Sequence, residues 1–152
     1  MKYIPLLALV ILISASCSNE TPDMEYPQID LAYGGAFPVQ CSVIERGKPF
    51  VFKARFTDNA ALGSFSVDIH DNFDQHSHST EVQQCVMDDK KEGESPFIYI
   101  RSFDISGSPH LYEAEVEIDV PADVDPGDYH MMIRVTDRDG WQTMRGLSIK
   151  IR

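Results

Sequence analysis

Basic residues are scarce in this sequence: 13 Lys+Arg face 24 Asp+Glu among 152 residues, a formal net charge of −11. No basic cluster is present to neutralise phosphates, which argues against nucleic acid as a partner and favours cations or basic surfaces. Long apolar runs are as rare. The one present, Ile4 to Ile13, is shorter than the roughly 20 residues that a comfortable transmembrane helix needs. No glycine-rich elbow surrounds a serine and no triad can be assembled around Ser77, so no enzyme is expected. Internal repeats, low-complexity tracts and strong helical periodicity are also missing. Cysteine is limited to three residues and tryptophan to one, so each has to be accounted for singly.

The apolar run has the form of an export signal: Lys2 precedes it, and Ser14, Ala15 and Ser16 lead into Cys17. Small residues before a cysteine resemble the lipobox of bacterial lipoproteins, with Ser14 where the strict pattern has Leu. The resemblance implies cleavage before Cys17 and lipidation of that residue; an ordinary secretory signal with a spare cysteine is the alternative. The expected organisation is a signal peptide over 1–16, an acidic tether over 17–25 and one domain over 26–152. The expected location is the cell envelope, lipid-anchored at the outer membrane and facing either the periplasm or the cell surface. With Cys17 lipidated, Cys41 and Cys85 remain as an even pair in an oxidising compartment, which predicts a disulfide between them, with two buried free thiols as the alternative.

The domain reads as all-β. Pro27 limits Tyr26 to Tyr33 to an edge strand, because proline cannot donate to a central ladder. From Val39 onward, alternating segments are bounded by turn residues, the pattern of an immunoglobulin-like antiparallel β-sandwich of about seven strands. Phe50 to Thr57 places Phe50, Phe52, Ala54 and Phe56 on one face, with Lys53 and Arg55 on the other. Ser64 to His70 turns Phe65, Val67 and Ile69 inward. Further strands are expected over Phe97 to Ile105, Leu111 to Val120, Asp128 to Asp137 and Trp141 to Ile151. In Leu111 to Val120, Glu113, Glu115, Glu117 and Asp119 line the outer face, which is expected to be solvated or to face cations. Tyr129 is placed to make a tyrosine-corner hydrogen bond.

Chemistry concentrates in HDNFDQHSH, residues 70–78, where three of the five histidines and two aspartates fall within nine residues. If Ser64–His70 and Asp128–Asp137 are antiparallel neighbours, His70 ends one strand where His130 begins the other. Alternation turns both outward. His70, His76, His78 and His130, with Asp74, then form a candidate metal site, and Asp68 and Asp71 are candidate acceptors that fix the imidazole tautomers. Imidazole with carboxylate suits a transition metal, Zn or Cu, better than Ca or Mg. An exposed polar loop with incidental histidines, or a loop titrating near neutrality, competes with this reading. A second constellation, Asp58 and Asn59 with Asp137 and Asp139, falls at the opposite end and could offer oxygen ligands to Ca, although these are also ordinary turn formers.

The segments TDNAALGSFSVDIHDNFDQHSH and VPADVDPGDYHMMIRVTDRDGWQT resemble an uncharacterised family of Bacteroidetes lipoproteins, domain of unknown function 4625. The resemblance implies a Bacteroidetes source, export and an Ig-like β fold, and it carries no established activity. The sequence therefore points to a lipid-anchored binding domain that takes a transition metal through its histidines. An Ig-like interaction or adhesion module, meeting an envelope protein or a glycan without metal, is the competing expectation.

Overall fold

The computed structural model describes residues 22–76 and 85–152. Their strands are β1 (Gln28–Asp30), β2 (Val43–Ile44), β3 (Pro49–Thr57), β4 (Leu62–Asp71), β5 (Tyr99–Asp104), β6 (Leu111–Asp119), β7 (Gly127–Asp137) and β8 (Gln142–Ile151). Two sheets form, ordered β1-β3-β6 and β2-β8-β7-β4-β5. All pairings are antiparallel except β2 with β8, which is parallel. The result is the expected Ig-like β-sandwich, with eight strands rather than about seven. The additional strand is β2, whose two residues are too few to show a period of two in the sequence. No helix occurs among the described residues.

Alternation builds the core. On β3, the even positions Phe50, Phe52, Ala54 and Phe56 are all buried, and they meet Phe65, Val67 and Ile69 of β4 and Tyr129, Met131, Ile133 and Val135 of β7. Phe65 lies between the sheets, its ring 5.2 Å from that of Phe56 and 6.3 Å from that of Phe52. Each such side chain contributes about 1.5–3 kcal/mol by leaving water. The corner before β7 is closed by Tyr129, whose hydroxyl donates to the Asp125 carbonyl at 2.6 Å and accepts from the Phe97 amide at 3.2 Å. Burial pushes the Tyr129 phenol above its ordinary value.

The acids on the outer face of β6 are exposed, as expected. They also face cations, because β3 is the direct neighbour of β6 and sets Lys53 opposite Glu115 and Arg55 opposite Glu113. Lys53 reaches Glu115 at 3.1 Å, and the Arg55 guanidinium reaches Glu113 at 2.8 and 3.0 Å. Cross-strand ion pairs thus offset the repulsion along the stripe. Each exposed pair contributes at most about 1 kcal/mol.

The predicted disulfide is present, Cys41 to Cys85, with Cα atoms 5.5 Å apart. It fastens the segment before β2 to the chain beyond residue 84, and a disulfide is consistent with an oxidising, extracytoplasmic compartment. Cys17 lies outside the described residues. No described helix is long and apolar enough to cross a membrane.

Candidate functional site

β4 and β7 pair through nearly their whole length, from Leu62↔Asp137 at one end to Asp71↔Tyr129 at the other. Side chains capable of binding ions gather at both ends of this ladder.

At the β4 C-terminal end, His70 stands directly opposite His130. Their ring centroids are 5.7 Å apart. The chain leaving β4 then turns back over the sheet. The Asn72 amide donates to the Asp128 carbonyl at 2.8 Å, and the Gln75 amide donates to the Asn72 carbonyl at 3.1 Å, with Gln75 in the left-handed region at φ 59°. This return stacks His76 on His70, with centroids 5.8 Å apart and planes 6° from parallel, and brings it to 4.8 Å from His130. Sequence alternation placed His130 on an outward, solvated face. His130 is instead fully buried at 0% exposure, because the returning segment lies across it.

Neighbouring groups orient the rings. Asp68 Oδ1 lies 2.9 Å from His70 Nδ1, and Asp74 Oδ1 lies 2.5 Å from His76 Nδ1. Each contact favours an Nδ1–H tautomer with the lone pair on Nε2. His130 Nε2 is 3.1 Å from the His76 carbonyl oxygen, a contact that requires Nε2–H. Asp68 thus contacts the ring of His70. Asp74, expected as a ligand, receives both the ring and the backbone amide of His76 on its Oδ1. Those hydrogen bonds hold the Asp74 carboxyl below the usual carboxylate range. Asp71 pairs with Tyr129 in the ladder and makes none of these imidazole contacts. His78 lies outside the described residues.

At the opposite end, Asp58 follows β3 and Asp137 closes β7, as expected, but the third partner is Asp23 rather than Asp139 or Asn59. One donor atom from each of Asp23, Asp58 and Asp137 lies within 4.8 Å of the others, and this trio could hold a metal ion. One oxygen of each carboxylate is already engaged. Asp58 Oδ2 accepts the Ala60 and Ala61 amides at 2.9 and 2.6 Å, and Asp137 Oδ1 accepts the Gly140 and Trp141 amides at 2.6 and 2.8 Å. Asp23 Oδ1 accepts the Glu25 amide and the Asn59 side-chain amide at 3.0 and 2.8 Å. The Asn59 contact is the main reason the Asp23 carboxyl titrates below its ordinary value. The second oxygens, Asp23 Oδ2, Asp58 Oδ1 and Asp137 Oδ2, are buried without a hydrogen-bond partner among the described residues.

Two glycines shape this end. The β4–β7 register shifts between Leu62 and Ser64, and a Cβ on Gly63 would stand 2.8 Å from the Asp137 carbonyl oxygen. Only glycine lets the two backbones approach so closely. Gly140, at φ +96°, makes the turn that aims its amide at Asp137. Asp23 was missed by the sequence reading because a lone aspartate in a polar stretch carries no periodic signal. Its attachment depends on a distant residue: Trp141 Nε1 donates to the Asp23 carbonyl at 2.9 Å, and the Trp141 ring meets Tyr26 edge-on at 4.9 Å. The stretch read as a solvated tether is therefore docked on the domain at Asp23.

Comparison with known proteins decides the family, because the domain of unknown function DUF4625 matches residues 14–152, nearly the whole chain. The chain belongs to DUF4625. No curated protein matches it. Among solved structures it is similar to Spo0M, a sporulation control protein from Bacillus subtilis, with 8% identity and a TM-score of 0.43. That similarity covers 85% of this chain and 50% of the other, so this DUF4625 chain spans half the length of the protein it matches.

Proposed function

We propose that this DUF4625 protein is a non-enzymatic, exported binding domain, lipid-anchored through Cys17, whose His70, His76 and His130 take a transition metal ion, Zn or Cu. The observation that carries the reading is the approach of the three imidazoles to within 4.8 to 5.8 Å of one another. Two of them are oriented by carboxylates in the manner common to metal-bound histidines. Three nitrogen donors suit a borderline ion and leave a further position for His78, water or a partner's ligand. The net charge of −11 favours cations in general.

Isothermal titration of the purified protein with Zn(II) and Cu(II) tests this. One-to-one binding at micromolar affinity or tighter, lost in a His70→Ala/His76→Ala variant, is the expected result. Absence of saturable binding would leave the histidines as a packed polar loop. In that outcome the reading moves to an Ig-like interaction module. What favours such a module is β5, which is at the edge of its sheet among the described residues, with Ile100 exposed at 64% and Ile98, just before the strand, at 63%.

A further inference from the structure

We propose that Asp23, Asp58 and Asp137 bind a hard divalent cation, Ca(II), and that the ion clasps the segment entering the domain against the loops after β3 and β7. This goes beyond the imidazole reading and rests on none of its residues.

Three parts of the chain that are remote in sequence deliver carboxylate oxygens to one point, within 4.8 Å. Proximity alone would be unremarkable for turn-forming aspartates. What separates this trio from ordinary turn chemistry is the fate of the second oxygens. The turns and the N-terminal segment use Asp58 Oδ2, Asp137 Oδ1 and Asp23 Oδ1, while Asp58 Oδ1, Asp137 Oδ2 and Asp23 Oδ2 are buried with no hydrogen-bond partner among the described residues. Asp58 and Asp137 are 8% and 4% exposed. Buried carboxylate oxygens that receive no protein donor among the described residues are unfavourable, and like charges held together make them more so. A single cation relieves both.

The donor set selects the ion. All the ligands are anionic oxygens and none is nitrogen or sulfur, so a hard cation is favoured over Zn or Cu. Ca(II) takes six to eight oxygens in flexible geometry, which suits three carboxylates from three separate parts of the chain supplemented by water or carbonyls. Mg(II) demands a near-ideal octahedron. Asp23 is the ligand with consequences, since the segment that carries it is otherwise held here by the Trp141 and Asn59 hydrogen bonds and by Tyr26 against the Trp141 ring. Ion binding makes that docking cation-dependent.

Trp141 supplies the probe. Its indole touches the Asp23 backbone, so a terbium ion at the trio accepts energy from the excited tryptophan and luminesces. The test is terbium luminescence of the intact, chelator-stripped protein, excited through Trp141 and competed with Ca(II), Mg(II) and Zn(II). Amide hydrogen exchange of residues 22–27 is followed with and without Ca(II). We expect saturable luminescence displaced by Ca(II) before Mg(II). Affinity should fall about tenfold or more in Asp137→Asn and in Asp23→Asn, since ligand charge sets Ca(II) affinity, and exchange at 22–27 should slow when Ca(II) is added. Asp23→Asn removes a charge from the half-buried, N-terminal ligand and keeps the fold testable if Asp137→Asn unfolds. His70→Ala/His76→Ala should leave the luminescence unchanged. Absent luminescence, undiminished affinity in Asp23→Asn, or preferential displacement by Zn(II) overturns the site. Binding without slower exchange at 22–27 overturns the clasp.

Discussion

At one end of the β4–β7 ladder, His70 faces His130 across an intact register and a returning loop closes His76 over the pair. At the other end the register breaks at Gly63, and Asp137 meets Asp58 and Asp23 from outside the ladder. The same two strands thus gather histidine rings at one pole, proposed above as nitrogen donors, and three carboxylates at the other. The nitrogen pole is assembled by strand pairing plus one local turn, with carboxylates serving as orienting groups. The oxygen pole is assembled by loops, with carboxylates as the ligands themselves and backbone amides as the orienting groups. A carboxylate that already has an imidazole partner becomes a positioning group. One that is left with a bare, buried oxygen becomes a candidate ligand.

Each pole has its own structural support, and this allows them to be broken separately. The largest effect is expected from removing the disulfide, which lies at the nitrogen pole. The Cys41 amide donates to the Ser148 carbonyl at 2.8 Å, and Ser148 is the β8 neighbour of His130. A Cys41→Ser/Cys85→Ser variant opens a closed loop with a separation of 44 residues, a loss of about 4 kcal/mol in the chain-entropy account. Urea unfolding should show that loss, with Zn(II) affinity weakened and terbium luminescence in the folded protein unchanged.

Gly63→Ala acts on the other pole. The added methyl would meet the Asp137 backbone rather than a flexible side chain, so a destabilisation of about 3 kcal/mol, the upper end of the usual overpacking range, is expected. Thermal unfolding would measure it. Ca(II) affinity should fall with it, while Zn(II) affinity holds.

Asp68→Asn is smaller and purely local. It withdraws the charged acceptor from His70 Nδ1, and loss of such a partner typically weakens metal binding about 10- to 100-fold, roughly 1.4 to 2.7 kcal/mol. Titration calorimetry with Zn(II) reads this directly. An unchanged affinity would mean that Asp68 merely packs beside the ring.

The smallest effect expected is a pH dependence at the nitrogen pole. Hydrogen bonds from Arg152 and then Lys150 hold the Asp88 carboxyl below its ordinary value. A depressed folded pKa contributes stability that is present above the unfolded carboxylate value, about 3.9, and is lost as pH falls through the folded one. Asp88 is 41% exposed along its side chain, so solvent screens the effect. Urea unfolding from pH 6 down to about pH 3 should lose stability more shallowly in Asp88→Asn than in the unaltered protein.

Much of the fold was legible because β3, β4, β6 and β7 are long enough to display a period of two. Phe52, Val67 and Ile133 are inward by alternation alone, and all three are fully buried. The pairing of His70 with His130 followed from placing those strands as neighbours. Burial of His130 did not, because it depends on the loop that returns through His76, and alternation describes a strand without what covers it. Exposure of the acid stripe on β6 was legible, but which cations it meets was not, because that depends on β3 being its neighbour, although Lys53 and Arg55 were already placed on the correct face of β3. Asp58 and Asp137 were legible as ends of strands. Asp23 was not, because its place is set by Trp141, more than a hundred residues away in the sequence.

The length of β4 has an electrostatic consequence of its own. From Leu62 to His70 the extended backbone covers about 26 Å at roughly 3.3 Å per residue, whereas the Debye length in physiological salt is about 8 Å. Where the field between the poles runs through solvent it is therefore screened over about three such lengths, and less where it runs through the buried core. Under both proposals the protein carries a borderline and a hard cation at once, each pole following mainly the concentration of its own ion. Cooperativity between them, if measured, would report the field through the core or the two strands that they share.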